Sequence, residues 1–153
     1  IQYMQNAICF STKFGWITAT EQKNRVTSIR FKKSSKQGKT SFLLNKLKND
    51  INLFFKGETK LINLPLKIEG SSIQIKVWNE LRKIKKGRTK SYGEIAKRFR
   101  LSPRYVGKIC GQNQHILAIP CHRVIRSDGS MGGFSAMGGI NLKKKLLEFE
   151  RNK

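Results

Sequence analysis

Acidic residues are scarce in this 153-residue chain: nine Asp and Glu stand against 32 Lys and Arg, a formal net charge of +23. Solubility asks for far less, and a field of that size attracts phosphates, so the expected partner is a nucleic acid. Charge alone does not say which. Long apolar runs are also missing. Nothing approaches the roughly 18 apolar residues of a membrane span, and the first residues lack the charged head, apolar stretch and small-residue cleavage site of a secretory leader. On these absences the expected location is the cytoplasm, with no membrane partner. Cysteines are few, three at wide spacing, which suits a reducing compartment and not a disulfide framework. Cys9, Cys110, His115, Cys121 and His122 form no Cys-x-x-Cys or His-x-x-x-His pair, so a structural zinc site is not expected. Internal repeats and low-complexity tails are lacking too.

What is present changes texture near residue 65. "AICFST", "GWITAT" and "RVTSIRF" are short segments rich in β-branched and aromatic residues, separated by "KFG" and "EQKN", and they predict an antiparallel meander. After the solvated stretch "KKSSKQGK", Leu43, Leu44, Leu47, Ile51, Phe54 and Phe55 recur at helical spacing, with Gly57 as the stop. Nothing in this part reads as a site. "NLPLKIEGSS" is the expected junction, giving an N-terminal α/β domain over 1–69 and a C-terminal domain over 70–153.

The second part reads as helices. Val77, Trp78, Leu81 and Ile84 make one apolar face before Gly87, which assigns Trp78 to the core. "SYGE" at 91–94 is a Ser-x-x-Glu capping box opening a helix through Ile95, Ala96 and Phe99. "RL" turns the chain, and Ser102 as N-cap with Pro103 in the first helical position opens "PRYVGKICGQ". Two short helices joined by a tight turn make a helix-turn-helix pattern, whose second member is the recognition helix.

The stretch "AIPCHRVIRSDG" at 118–129 raises the question of chemistry. Cys9, in a strand, and Cys110, in an apolar helical register, read as inert core thiols. Cys121 differs in having His122 and Arg123 beside it. A free thiol with a pKa near 8.5 is only a few per cent thiolate at neutral pH, and a nearby imidazole, arginine or helix N-terminus lowers that value. Adjacency in sequence does not by itself put the His122 ring near the sulfur. On the residues alone, a nucleophilic Cys121 and an inert one both stay open.

"PCHRVI", preceded by "SYGEIA" and followed by "GG" and "KKKLLEFE", resembles the O(6)-alkylguanine-DNA alkyltransferase family, the methylated-DNA:protein-cysteine methyltransferases. The likeness runs from about Ser71 to Glu150; in the first part it is one of layout only. The resemblance implies a ribonuclease-H-like α/β domain, a small antiparallel sheet plus helix, followed by a mainly helical, winged-helix-like domain with a helix-turn-helix. The implied activity is DNA repair by damage reversal: the alkyl group of O(6)-alkylguanine, and of O(4)-alkylthymine, passes irreversibly to the protein's own cysteine, one per molecule. Carried over position by position, Cys121 is the acceptor, His122 the base acting through a water, Glu150 the group that holds and polarises His122, and Asn113 the brace of the turn around the site. Tyr92 and Arg104 match the devices that extrude the target base, Arg104 filling the gap in the duplex. Ser91 and Arg123 are expected to contact DNA, and Phe134 and Ser135 to close over the alkylated base. The implied partner is double-stranded DNA containing alkylated guanine. A monomer is expected, with no metal, organic cofactor or obligate protein partner.

The sequence departs from the family pattern in places. Ile73 stands where phenylalanine is usual, "IKKGRT" replaces a common Ile-Pro-Tyr-Gly, Gln114 follows Asn113 where proline is frequent, and "FSAMGGIN" is longer by two residues. Two rival readings are a lesion sensor without transfer and a helix-turn-helix regulator. Sensors of that type replace the cysteine, which this chain keeps, and no dimerisation element or second base-reading module is evident for a regulator.

Overall fold

A computed structural model describes residues 5–34, 38–58, 62–133 and 139–152. Two compact units divide the chain, Ile1–Ile68 and Glu69–Lys153.

In the first unit, strands β1 (Asn6–Thr12), β2 (Gly15–Gln22) and β3 (Arg25–Arg30) form an antiparallel sheet in the order β1-β2-β3. The second hairpin turns on only two residues, because Lys23 and Asn24 both adopt positive φ (51° and 61°), the twist that matches the flanking strands. "EQ" of the expected "EQKN" loop is therefore the end of β2. Helix α1 (Phe42–Phe55) starts where the Ser41 side chain accepts from the Leu44 amide. Its Leu44, Leu47 and Ile51 pack with Ile17, Ala19 and Ile29 of the sheet, all fully buried. Each of the leucines and isoleucines contributes about 1.5–3 kcal/mol of apolar burial.

The second unit is mainly helical: α2 (Ser72–Leu81), β4 (Lys90–Ser91), α3 (Tyr92–Phe99), α4 (Pro103–Gly111), a 3-10 turn at Cys121–Arg123, β5 (Val124–Ile125) and α5 (Gly139–Arg151). A reciprocal capping box starts α2, Ser71 accepting from the Gln74 amide while the Gln74 side chain accepts from the Ser71 amide. At α3 the Ser91 hydroxyl accepts from the Glu94 amide. Arg100 takes a left-handed conformation (φ 56°) between α3 and α4, and Ser102 caps α4 ahead of Pro103. Trp78 is buried, its indole N–H donating to the Ile109 carbonyl at 3.0 Å and tying α2 to α4. Glu80 links α2 to α3, accepting from Arg98 Nε at 3.0 Å.

One short pairing positions the chemistry. β4 and β5 are parallel, with Lys90 opposite Val124 and Ser91 opposite Ile125. β4 runs straight into Tyr92 and β5 follows straight from Arg123, so this two-residue ladder sets the start of α3 against the Cys121 turn.

Candidate active site

Cys121 lies at the start of the 3-10 turn and is 5 % exposed. Asn113, two residues past the end of α4, organises the loop that leads to it. Its amide nitrogen donates to the Ile119 carbonyl at 2.8 Å and to Cys121 Sγ at 3.2 Å, while its oxygen accepts from the His115 amide at 2.9 Å. All of the side chain's polar atoms are therefore engaged inside a buried loop, and the sulfur is held by a donor suited to negative charge.

Behind the turn sits a buried charge cluster. His122 and Glu150 are both almost fully buried, with His122 Nε2 and Glu150 Oε2 3.1 Å apart. Arg123 forks the same carboxylate, Nε to Oε1 at 2.9 Å and Nη2 to Oε2 at 2.6 Å, and its Nη1 donates to the Ile84 carbonyl at 2.8 Å. Burial alone would raise the Glu150 pKa, but the hydrogen bonds and charges of His122 and Arg123 overcome it and hold the carboxyl at about 2. Burial lowers the His122 pKa against the opposing pull of Glu150, so the ring is neutral near pH 7. An ionised Glu150 can only accept, which assigns the ring proton to Nε2 and leaves Nδ1 with its lone pair.

The expectation that Arg123 contacts DNA is corrected here. Its guanidinium is buried and turned inward, each of its three nitrogens donating to Glu150 or the Ile84 carbonyl, which takes it away from any phosphate at the surface. The neighbouring His122 and Arg123 also do not bring the Cys121 pKa below its ordinary value at rest. Burial pushes the thiol up, and the Asn113 hydrogen bond and Lys143 charge only partly offset it. The charge of Arg123 is already committed to Glu150.

Cys121 opens onto a cavity of about 710 Å³ whose wall includes Tyr92, Arg104, Gly107, Cys110 and Gly132. Arg104, the second residue of α4, is exposed at its rim. The Tyr92 ring sits between two backbones: a Cβ on Gly107 would lie 3.8 Å from the ring, and one on Gly132 would fall 2.8 Å from it. Gly132 also has a φ of +69°, so both its conformation and its space require glycine. Ser91 is partly buried, its hydroxyl engaged with the Glu94 amide. Phe134 and Ser135 lie outside the described residues.

Lys143 was not singled out by sequence. It is fully buried, its ammonium donating to the Tyr92 hydroxyl at 3.1 Å and to the Gly133 carbonyl at 3.3 Å. Burial lowers its pKa to about 8. "KKK" reads as a solvated run, yet Lys143 stands seven residues before Glu150 on α5, two turns along the same face. That spacing, with Leu146 and Leu147 between, is the signal that separates it from the exposed Lys144 and Lys145. Burial pushes the Tyr92 hydroxyl up to about 12 and the Cys110 thiol up to about 12 as well.

Residues 72–152 match the family model described as the DNA-binding domain of 6-O-methylguanine DNA methyltransferase. The methylated-DNA–protein-cysteine methyltransferase of Metallosphaera sedula is 35 % identical over 147 residues, 92 % of this chain and 90 % of that protein. This chain belongs to the O(6)-methylguanine-DNA methyltransferase family. The enzyme of the same name from Sulfolobus acidocaldarius is 43 % identical over 97 residues, 63 % of this chain and 61 % of that one. Among solved structures, Mycobacterium tuberculosis O6-methylguanine methyltransferase aligns with a TM-score of 0.86 at 29 % identity, covering 97 % of this chain and 94 % of that one. The same organism's protein in complex with DNA aligns with a TM-score of 0.86 at 30 % identity, covering 96 % and 93 %. These alignments take in both units, including the first, for which the sequence offers a likeness of layout only.

Proposed function

We propose that this methyltransferase repairs alkylated DNA directly, moving the alkyl group from guanine O(6), and from thymine O(4), onto Cys121. The observation that carries the reading is a Cys121 thiol on the cavity wall, next in the chain to a neutral His122 held by Glu150. In the reaction the Cys121 proton passes through a water to His122 Nδ1. The thiolate attacks the alkyl carbon in line, a C–S bond forms, the C–O bond breaks, and the released guanine anion takes a proton from water as the imidazolium returns its own to water. Asn113 supports the charge on sulfur, and Glu150 supports the charge on the imidazole. The product is a thioether, so each molecule acts once.

Base extrusion is the other half of the task, since O(6) is buried in the stacked duplex. Tyr92 donates to the extruded base at the cavity wall. Lys143 is a positioning residue: it donates to the Tyr92 oxygen, while the hydroxyl proton rests on the Gly133 carbonyl at 3.5 Å, a long bond that an extruded base replaces. Arg104 enters the gap left in the duplex, Ser91 and the start of α3 face the target phosphate, and Phe134 and Ser135 close over the base. The recognition helix α4 lies in the minor groove, where deformability is read more than sequence. We read the first unit as a ribonuclease-H-like scaffold domain and the second as a winged-helix-like transfer domain. The protein works in the cytoplasm as a monomer with no obligate protein partner.

The test is intact-mass spectrometry after mixing the protein with a duplex containing one O(6)-methylguanine, followed by peptide mapping. The expected result is a single, final methyl gain on Cys121, abolished in Cys121→Ser while lesion binding persists. Lesion binding without any mass gain would refute transfer.

A further inference from the structure

The family model covers residues 72–152, yet the first unit is itself strongly basic. Residues 1–68 hold thirteen lysines and arginines against three carboxylates, Glu21, Asp50 and Glu58. Glu21 is buried and accepts from Asn6 and the Asn24 amide, and Asp50 pairs with Lys46 on α1 at 3.0 Å.

Part of this charge is gathered by the fold. α1 covers the sheet face that carries Ile17, Ala19 and Ile29. Strand alternation puts Trp16 and Thr18 on the opposite face, and the register sets Arg30 beside Thr18. Beyond β3 the chain folds back over that face. Thr18 Oγ1 donates to the Lys32 carbonyl at 2.8 Å, and the Ser34 amide donates to Cys9 Sγ at 3.5 Å. Pinned at both ends, this segment holds Lys33 Nζ 4.6 Å from the centre of the Trp16 ring. Trp16 is 41 % exposed in an otherwise Ser- and Thr-rich face, with Arg30, Lys32 and Lys33 all exposed around it. An exposed aromatic ring amid clustered cations is the arrangement by which proteins follow a nucleic-acid strand, the cations taking phosphates and the ring packing on sugar or base.

We propose that the Trp16–Arg30–Lys32–Lys33 face of the first unit is a second DNA-backbone contact, separate from the family's DNA-binding domain. It rests on DNA being the partner but is independent of the alkyl-transfer chemistry. Arg30, Lys32 and Lys33 bind phosphodiesters, and Trp16 packs on the intervening sugar. The surface reads no sequence and no damage; it raises residence on DNA while lesions are sought.

The experiment uses the full chain and an undamaged 20-base-pair duplex, with binding followed by fluorescence anisotropy across a salt series. Each lost phosphate contact lowers the slope of log K against log salt by about 0.9, so the triple variant R30Q/K32Q/K33Q is expected to lower it by about 2 to 3. Trp16→Ala is expected to weaken binding several-fold with the slope unchanged. The control variant K23Q/R25Q/K56Q removes the same charge elsewhere in the unit and is expected to keep the wild-type slope. Equal slopes for the R30Q/K32Q/K33Q triple and the wild type would overturn the proposal, as would equal losses in the two triple variants, since a diffuse field would then explain the charge. Alkyl transfer from free O(6)-benzylguanine, measured in parallel, is expected to be unchanged in all variants. Absence of methyl transfer from a duplex containing O(6)-methylguanine in the wild type would refute the transfer reading while leaving the salt comparison intact.

Discussion

Replacing Glu150 by glutamine tests the buried clasp most directly. The carboxylate accepts from His122 Nε2 at 3.1 Å and from Arg123 at 2.9 and 2.6 Å, with Arg123 only 6 % exposed. The substitution keeps the size but removes the charge that neutralises Arg123. Breaking a buried pair by removing one partner costs about 3–5 kcal/mol. Linkage gives a second estimate. A carboxyl held at about 2 instead of its ordinary 4.5 favours the folded chain, when ionised, by about 3 kcal/mol. That is a large part of the total stability of a typical domain, about 5–15 kcal/mol. Because the folded pKa is the lower one, this stability is fully present above pH 4.5 and is lost as pH falls toward 2. The two proteins should therefore differ by about 3 kcal/mol at pH 7 and by about half that near pH 3.3. Urea unfolding followed by the fluorescence of buried Trp78 supplies both numbers. A difference under about 1 kcal/mol at pH 7, or one that does not shrink with acid, would refute the clasp as a charged one.

Three further outcomes follow from the same geometry. Lys143→Met removes a buried ammonium, so it should leave urea resistance equal or higher yet slow transfer by about tenfold, the usual scale for one lost orienting hydrogen bond; unaltered single-turnover rates would remove Lys143 from the reaction. Arg104→Ala should slow repair of duplex substrate and leave transfer from free O(6)-benzylguanine unchanged, because only the duplex needs a base extruded; equal losses on both would place Arg104 elsewhere. Burial keeps His122 neutral below the ordinary histidine range, so the transfer rate should hold level from pH 7.5 through 6.5 and fall only in more acid solution; a half-maximal rate at or above pH 6.5 would contradict a buried neutral base.

Local signals were legible where the physics is local. Ser102 and Pro103 marked the start of α4, and the apolar spacing of Leu43 to Phe55 marked α1, because caps and periodicity act within a few residues. The Ser71–Gln74 capping box is equally local, written in the sequence as Ser-x-x-Gln. β4 and β5 were not legible: two residues each are too short to show alternation, and a parallel pair 34 residues apart is fixed by tertiary packing. The same limit governs the site. "PCHR" announces reactive residues side by side, but whether Arg123 faces DNA or folds inward depends on Glu150 from the last helix, and the burial of one lysine in "KKK" depends on which face of α5 turns to the Tyr92 wall.

A thiol pushed up by burial looks like a poor nucleophile, yet the charges around it explain how the proposed reaction is helped. Before transfer Cys121 and His122 are both neutral, and the buried ions are Glu150, Arg123 and Lys143. Moving one proton from Cys121 to His122 changes the net charge of the site by nothing. It creates a thiolate where Lys143 and the Asn113 amide already favour negative charge, and an imidazolium where Glu150 already favours positive charge. Both stabilising partners are fixed before the proton moves, so no reorganisation is needed at the moment of reaction. Arg123 keeps Glu150 ionised and oriented, and its charge, like that of Lys143, also holds the resting imidazole neutral, so the Glu150 carboxylate must carry the stabilisation of the imidazolium. The resting thiol, buried and protonated, is also slow to oxidise, since the thiolate is the reactive form. A single-use acceptor needs both properties: inertness until a base occupies the cavity, and a charge pattern already set for the ion pair that transfer demands.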